Sequence, residues 1–340
     1  MRTTSNKLSA LLTVGVVLVA ALACGKVEQK AQWPSSKKIA GKEQGLSHIS
    51  NIVVDDKFAY VIIGGTVADA NAGTNGLRKV DLATGAVTSL DDGKQSPQAE
   101  EGGLAIDDKY VYWKAGGSIQ RILKEGGTSE TIVSENVGMG IDLAVDNERV
   151  YWTNHGYYSP NTPAVPSPVY SVIKTGGKAE IFVDQQMVPH DVAVDHKFVY
   201  WCTPSSVLRK PKSGGEPFVI FQANEKEGVD SLSVYKGDVY FGFRAAGASR
   251  WALRKLATSS TEPQMTKTVA TKYSTKPIAF DGDNVYFFDE DGLTADVLCR
   301  TTINGGNIDR LDSGYSGGTI AVGKNGVYFG TLDDVMMIGK

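Results

Sequence analysis

His190 and Asp191, directly after Pro189, form the pair in this sequence best suited to proton transfer or metal binding. An imidazole beside a carboxylate can be oriented and tuned by it. Other polar groups recur at comparable places: Glu100 and Glu101, Asp142, Asp230 with Ser231, and more widely His48, Asn51, Lys276 and Thr319. Carboxylates drawn together around a narrow mouth repel one another unless solvated or matched by a cation, so this set fits calcium or another divalent metal, or a cationic group. Dispersed carboxylates are ordinarily just solvated, and a wet polar rim is the plainer reading. With no third partner visible beside His190 and Asp191, catalytic and metal-ligating residues stay unassigned.

A second acidic stretch, Asp289-Glu290-Asp291-Gly292 through Asp296, offers oxygen donors at alternate positions around a turning glycine. It fails the EF-hand pattern, because Leu293 stands at position five and no glutamate closes it, so it reads as a solvated acidic loop. The chain has no glycine-rich phosphate loop between a strand and a helix, no zinc-spaced Cys/His cluster and no hydrolase-type serine elbow. These negatives weigh against an enzyme.

Residues this scattered meet only if repeats bring them together. Leu104-Ala105-Ile106-Asp107 leads to Val111-Tyr112-Trp113, Leu143-Ala144-Val145-Asp146 to Val150-Tyr151-Trp152, and Val192-Ala193-Val194-Asp195 to Val199-Tyr200-Trp201. Each continues through a second hairpin to a turn, Gly126-Gly127, Gly176-Gly177 or Gly214-Gly215. Fainter copies begin at Ile52, Leu232, Ile278 and Ile320, giving steps of 52, 39, 49, 40, 46 and 42 residues. Four short antiparallel strands recurring at about 40 to 50 residues define a propeller blade. The expected fold is therefore all-β, a seven-bladed β-propeller. Its last copy stops at its third strand, and Lys37 to Lys42 is expected to supply the fourth by pairing with Val335 to Ile338.

The Tyr-Trp second strand and the glycine turn resemble the YWTD and NHL-like propeller families over essentially the whole chain after the leader. Thr153-Asn154 comes nearest to completing the four-residue signature, whereas Lys114-Ala115 and Cys202-Thr203 depart from it. The resemblance implies a fold and transfers no functional residue, because such propellers include enzymes, receptor modules and scaffolds.

In such a blade the turns between first and second strands and between third and fourth strands share one face. That face is expected to be uniformly tight and structural. The opposite face carries the second-to-third loops, long at Gly64 to Gly76, Asn154 to Pro168, Arg244 to Arg250 and Asp289 to Asp296, and binding is expected there. The polar residues of the opening paragraph precede the innermost strands and should rim the channel on that face. Tyr157, Tyr158 and Trp251 lie outside the repeat, in or beside its loops, and are candidate contacts. The repeated aromatic pairs are assigned to packing between blades.

Residues 1–23 read as a signal peptide: Arg2 and Lys7 precede an apolar stretch from Leu8 to Ala23, closed by Ala21-Leu22-Ala23. Cys24 behind this site resembles the lipidated cysteine of bacterial lipoproteins, although the leucine expected three residues before it stands at Leu22, and ordinary signal peptidase could use the same site. Residues 24–36 then form a lipidated cysteine and flexible tether, and residues 37–340 the propeller domain. Gly25 rather than an aspartate after Cys24 resembles outer-membrane sorting in cells with two membranes. The net charge of −3 and scattered basic residues give no reason to expect nucleic acid. Cys202 and Cys299 fall in different repeats and are expected as buried free thiols. Together these features describe an envelope-anchored binding or scaffold module for a protein or glycan partner, touching the membrane through its lipid alone. The alternative is a metal-assisted lactonase-like or lyase-like propeller enzyme with its site at the channel mouth.

Overall fold

The computed structural model describes residues 35–64, 76–92, 103–138, 142–154, 165–258, 266–274, 277–290, 296–315 and 318–340. These residues form seven four-stranded antiparallel sheets. Six are built from consecutive strands. Blade one holds Ile49–Val54, Phe58–Ile63, Gly76–Asp81 and Val87–Ser89. Blade two holds Leu104–Ile106, Tyr110–Ala115, Ser118–Leu123 and Glu130–Val133. Blade three holds Leu143–Val145, Arg149–Thr153, Pro166–Ile173 and Glu180–Met187. Blade four holds Val192–Val194, Phe198–Thr203, Ser206–Pro211 and Phe218–Gln222. Blade five holds Gly228–Tyr235, Asp238–Arg244, Trp251–Ala257 and Lys267–Tyr273. Blade six holds Ala279–Asp281, Asn284–Glu290, Asp296–Thr302 and Asp309–Tyr315.

Blade seven is composite. Its inner strands are Thr319–Val322, Gly326–Gly330 and Val335–Gly339, and its outermost strand is Lys37–Ala40. Lys37 lies opposite Met337, Lys38 opposite Met336 and Ala40 opposite Val335. The ring thus closes as expected, although the added strand ends at Ala40 and Lys42–Gln44 turn as a short 3-10 segment. Gly41 between them permits this close approach, since a Cβ there would lie 2.0 Å from Asp334 Oδ1.

Alternation explains the core. In the second strands, successive side chains point to opposite faces, so blades two to seven each send one aromatic toward each neighbour. Tyr112 of blade two joins Trp152 of blade three, Tyr200 joins Phe241, and Tyr328 of blade seven packs against Ile52 and Val61 of blade one. All six Tyr-Trp and Tyr-Phe pairs are buried. Around the channel, innermost strands of successive blades touch, except that blades five and six meet chiefly through Lys267–Tyr273 against Asn284–Glu290.

The tight-turn face is latched as well as turned. Asp55, Asp107, Asp146 and Asp195 end the innermost strands of blades one to four, and each Oδ1 accepts backbone N–H groups of the turn. Each Oδ2 accepts the hydroxyl of the tyrosine five residues on, at 3.1, 2.8, 3.2 and 2.7 Å. A lysine from the following blade completes three of these: Lys124 to Asp55 at 3.2 Å, Lys174 to Asp107 at 2.5 Å and Lys212 to Asp146 at 2.7 Å. Burial alone would raise the Asp107 pKa, but Lys174, the turn N–H groups and Tyr112 bring it down to about 2. One expectation fails here. The face is not uniformly tight, because blade five joins its third and fourth strands by residues 258–266 instead of a Gly-Gly turn.

Candidate functional site

Of the residues singled out from the sequence, Cys24, Glu100, Glu101, Tyr157, Tyr158 and Lys276 lie outside the described residues. Asp142, His190, Asp191, Asp230 and Trp251 are described.

Asp142 and Asp191 occupy the same place in adjacent blades, one residue before the innermost strand. Asp142 Oδ2 accepts the N–H of Val192 at 3.1 Å, and Asp191 Oδ2 accepts that of Leu232 at 2.9 Å. Each carboxylate therefore holds a residue of the next blade's inner strand. Thr319 repeats the device with its hydroxyl, accepting the N–H of Ile52 at 2.9 Å. In blade two Gly103 fills the place, and a Cβ there would stand 2.4 Å from Leu143 N. The inner rim was expected to be plainly solvated. Instead Asp142 and Asp191 serve the seams between blades.

Burial raises the Asp142 pKa to about 6, against the opposing N–H groups of Val192 and Leu143. Asp191 is pushed well above the usual carboxylate range by burial, then by the charge of Asp142, with the Leu232 N–H opposing and Asp230 adding to the rise. His190, half-buried beside them, has its pKa lowered by burial. Cys202 lies behind Asp191, its backbone N–H donating to the Asp191 carbonyl. Burial and then Asp191 and Asp230 push its thiol up. Cys202 and Cys299 are free and buried.

Asp230 sits in a bulge that lets blade five begin early. Its Oδ1 accepts the Ser231 N–H at 2.7 Å, and Ser231 adopts a φ of 51°. The bulge leans on Gly242, where a Cβ would fall 2.6 Å from the Asp230 carbonyl. The Ser231 hydroxyl meets the buried Tyr273 hydroxyl at 2.9 Å. Ser231, Tyr273, Asp142 and Asp191 line one central cavity of about 370 Å³. Among the described residues, no group of three or more His, Cys, Asp or Glu side chains is placed to hold a metal ion.

Trp251 begins the third strand of blade five, half-buried at the end of the long loop, with the exposed Arg244 guanidinium 4.9 Å from its ring centre. At the described ends of the acidic stretch, Asp289 and Asp296 are buried and not solvated as expected. Asp289 is 4 % exposed, with Arg250 at 3.4 Å and Arg310 at 3.5 Å. The Asp-Tyr-Lys latches were missed from sequence. The five-residue Asp-to-Tyr spacing was visible, but each lysine belongs to the next repeat.

Comparison with protein-family models and with curated proteins gives no match. Solved structures do resemble the chain, 534 of them, which marks a widely shared architecture. Oligogalacturonate lyase from Vibrio parahaemolyticus matches with a TM-score of 0.66 at 11 % identity, over 86 % of this chain and 90 % of that one. An oligogalacturonate lyase in complex with manganese matches with a TM-score of 0.61 at 12 % identity, over 82 % and 85 %. The computationally designed Ika8 protein gives 0.57 at 14 % identity, over 89 % and 99 %. Enzyme and designed protein share this shape, so the likeness defines a β-propeller and nothing finer.

Proposed function

We propose that this protein is an exported, lipid-anchored module of the cell envelope that uses its loop-bearing face to bind or scaffold a protein or glycan partner. The observation that carries the reading is the inequality of the two faces. On one face, carboxylate-tyrosine-lysine latches hold blades one to four together across short turns. The other presents long second-to-third loops and, at blade five, the half-buried Trp251 under an exposed arginine. Aromatic and arginine side chains at strand ends, beside loops on a rigid frame, suit partner recognition. The Tyr-Trp strands keep the YWTD and NHL-like families as our proposed affiliation. Met1 to Ala23 would direct export, Cys24 would carry the lipid, and Gly25 favours the outer membrane where there are two.

Crosslinking intact cells and recovering the protein under denaturing conditions tests this. A discrete partner should be enriched, and Arg244→Glu should diminish it without altering the melting temperature. Recovery of no partner, or equal recovery with that variant and with loop-face variants generally, would sink the reading. For the anchor, Cys24→Ser should move the protein from the membrane fraction to the soluble fraction.

The alternative is a metal-assisted lyase-like or lactonase-like enzyme, suggested by the manganese-bound lyase of similar shape. It is less well supported, because the described carboxylates of the mouth are engaged by backbone N–H groups and no three ligating side chains gather among the described residues. Tight manganese or calcium binding with a stoichiometry of one, abolished by Asp191→Asn, would favour it.

A further inference from the structure

We infer that Asn325, in the first turn of blade seven, is a site of spontaneous covalent modification, where the Gly326 nitrogen displaces the side-chain amide and the chain rearranges to aspartyl and iso-aspartyl forms. The sequence holds three Asn-Gly pairs, at Asn75, Asn304 and Asn325. Asn75 lies outside the described residues. Glycine in the second place presents no Cβ to hinder closure of its nitrogen on the asparagine side chain. Asn304 and Asn325 are both exposed, so exposure does not separate them. Their hydrogen bonds do.

Gly323 N donates to Gly326 O at 3.0 Å, closing this turn as Asp55, Asp107, Asp146 and Asp195 close the matching turns of blades one to four. In those four the returning N–H, of Phe58, Tyr110, Arg149 or Phe198, is held by the aspartate Oδ1 at 2.7 to 2.9 Å. In blade five Tyr235 takes the aspartate's place, and the Tyr240 hydroxyl has no hydrogen-bond partner. In blade seven the place is Gly323, and a Cβ there would lie 2.8 Å from the Tyr328 ring. The N–H and C=O of one strand residue point the same way, so the Gly326 N–H turns toward Gly323 and meets no carboxylate. An N–H without an acceptor loses its proton to base more readily, and the freed nitrogen attacks Asn325 Cγ. The Cγ–Nδ2 bond breaks, ammonia leaves, and a cyclic imide joins the two residues. Water then opens either imide carbonyl, so one water is consumed for each ammonia released. Asn304 is protected twice: the Gly305 N–H donates to the Thr302 carbonyl at 2.8 Å, and Asn304 Oδ1 accepts Lys255 Nζ at 2.8 Å. The iso-aspartyl form routes the chain through Cβ and so lengthens it beside Gly326, where an added Cβ would already lie 2.6 Å from the Ile338 carbonyl. The blade that closes the ring is therefore the one that ages first.

The test is incubation of the purified full-length protein at pH 8, native and in urea, with peptide mass spectrometry and enzymatic detection of iso-aspartate at Asn304 and Asn325 separately. Each site's native rate is divided by its own rate in urea, which removes the effect of neighbouring sequence. That ratio should be about ten-fold higher for Asn325 than for Asn304, whose two hydrogen bonds must break before it reacts. Asn325→Gln should abolish conversion at that site and leave Asn304 unchanged. A ratio for Asn325 equal to or below that for Asn304, or no iso-aspartate in the Asn325 peptide, overturns the inference. The rates in the natural protein decide it even where the variant does not fold.

Discussion

The Asp191 carboxyl accepts the backbone N–H of Leu232 across the boundary between blades four and five, while Asp142 does the same for Val192 one blade earlier. Two side chains that look catalytic in the sequence are thus part of the ring's frame. Their raised pKa values follow from that placement, and they have thermodynamic consequences.

A carboxyl with a folded pKa above its unfolded value binds a proton more readily when folded. Its presence therefore lets stability decline as pH rises from the unfolded value near 3.8 toward about 6 for Asp142. Asp142→Asn retains an acceptor for Val192 and removes the charge. The variant should match the natural protein near pH 4 and exceed it by about 1–3 kcal/mol above pH 6.5, given roughly 1.4 kcal/mol per unit. His190, whose lowered pKa acts in the opposite direction, is common to both proteins and cancels in the difference. Urea melts at pH 4, 5.5 and 7.5 measure this, and a constant difference across that range would refute the assignment.

Asp107 behaves with the opposite sign. Its depressed pKa means its stabilisation is complete above about pH 4 and lost as pH falls through about 2. The Lys174-Asp107 pair is largely shielded, with side chains 19 % and 20 % exposed. A double-mutant cycle with Lys174→Met and Asp107→Asn should give a coupling of about 1–2 kcal/mol at pH 7, vanishing at the acid limit. Coupling below about 0.3 kcal/mol at neutral pH would show the latch to be ornamental in energetic terms.

Removing residues 37–40 strips blade seven of its outer strand and uncovers Val335, which is fully buried. Thermal unfolding should lose its single cooperative transition, and the protein should associate through the freed edge of Val335–Gly339. Calorimetry with light scattering checks both. An unchanged, monomeric melt would mean that the ring does not depend on this strand.

Cys202 is fully buried and Cys299 has its pKa raised to about 12 by burial and by Asp289. In a Cys24→Ser background, both thiols should react with a disulfide reagent at least a hundred-fold more slowly in the native protein than in denaturant. Prompt native reaction of either would contradict the packing described.

The fold was legible because its signals are local and repeated. Val-Tyr-Trp marks a strand buried on both faces, and the glycine pairs mark turns, so counting copies gave the blades and their closure. The site was legible only as a set of positions. Asp142 and Asp191 were recognised as rim residues, but a carboxylate's hydrogen-bond partner lies in the next repeat, some forty to fifty residues on, and no spacing within one repeat announces it. The same holds for Lys174 on Asp107 and for Lys212 on Asp146. Blade five's departures were present in the sequence, with Tyr235 where aspartate stands in the blades before it. Their effect on Tyr240 required the neighbouring blade to be in place.

Blade seven also constrains the order of assembly. Its outer strand emerges first during synthesis and its other three emerge last, so Lys37 must await Met337 before the two can pair. Contacts so distant in sequence form slowly. Until they do, six blades can form with unpaired flanking edges, which are open to proteases and to chaperones. The strand that opens the ring is thus also the one that waits longest for its partner.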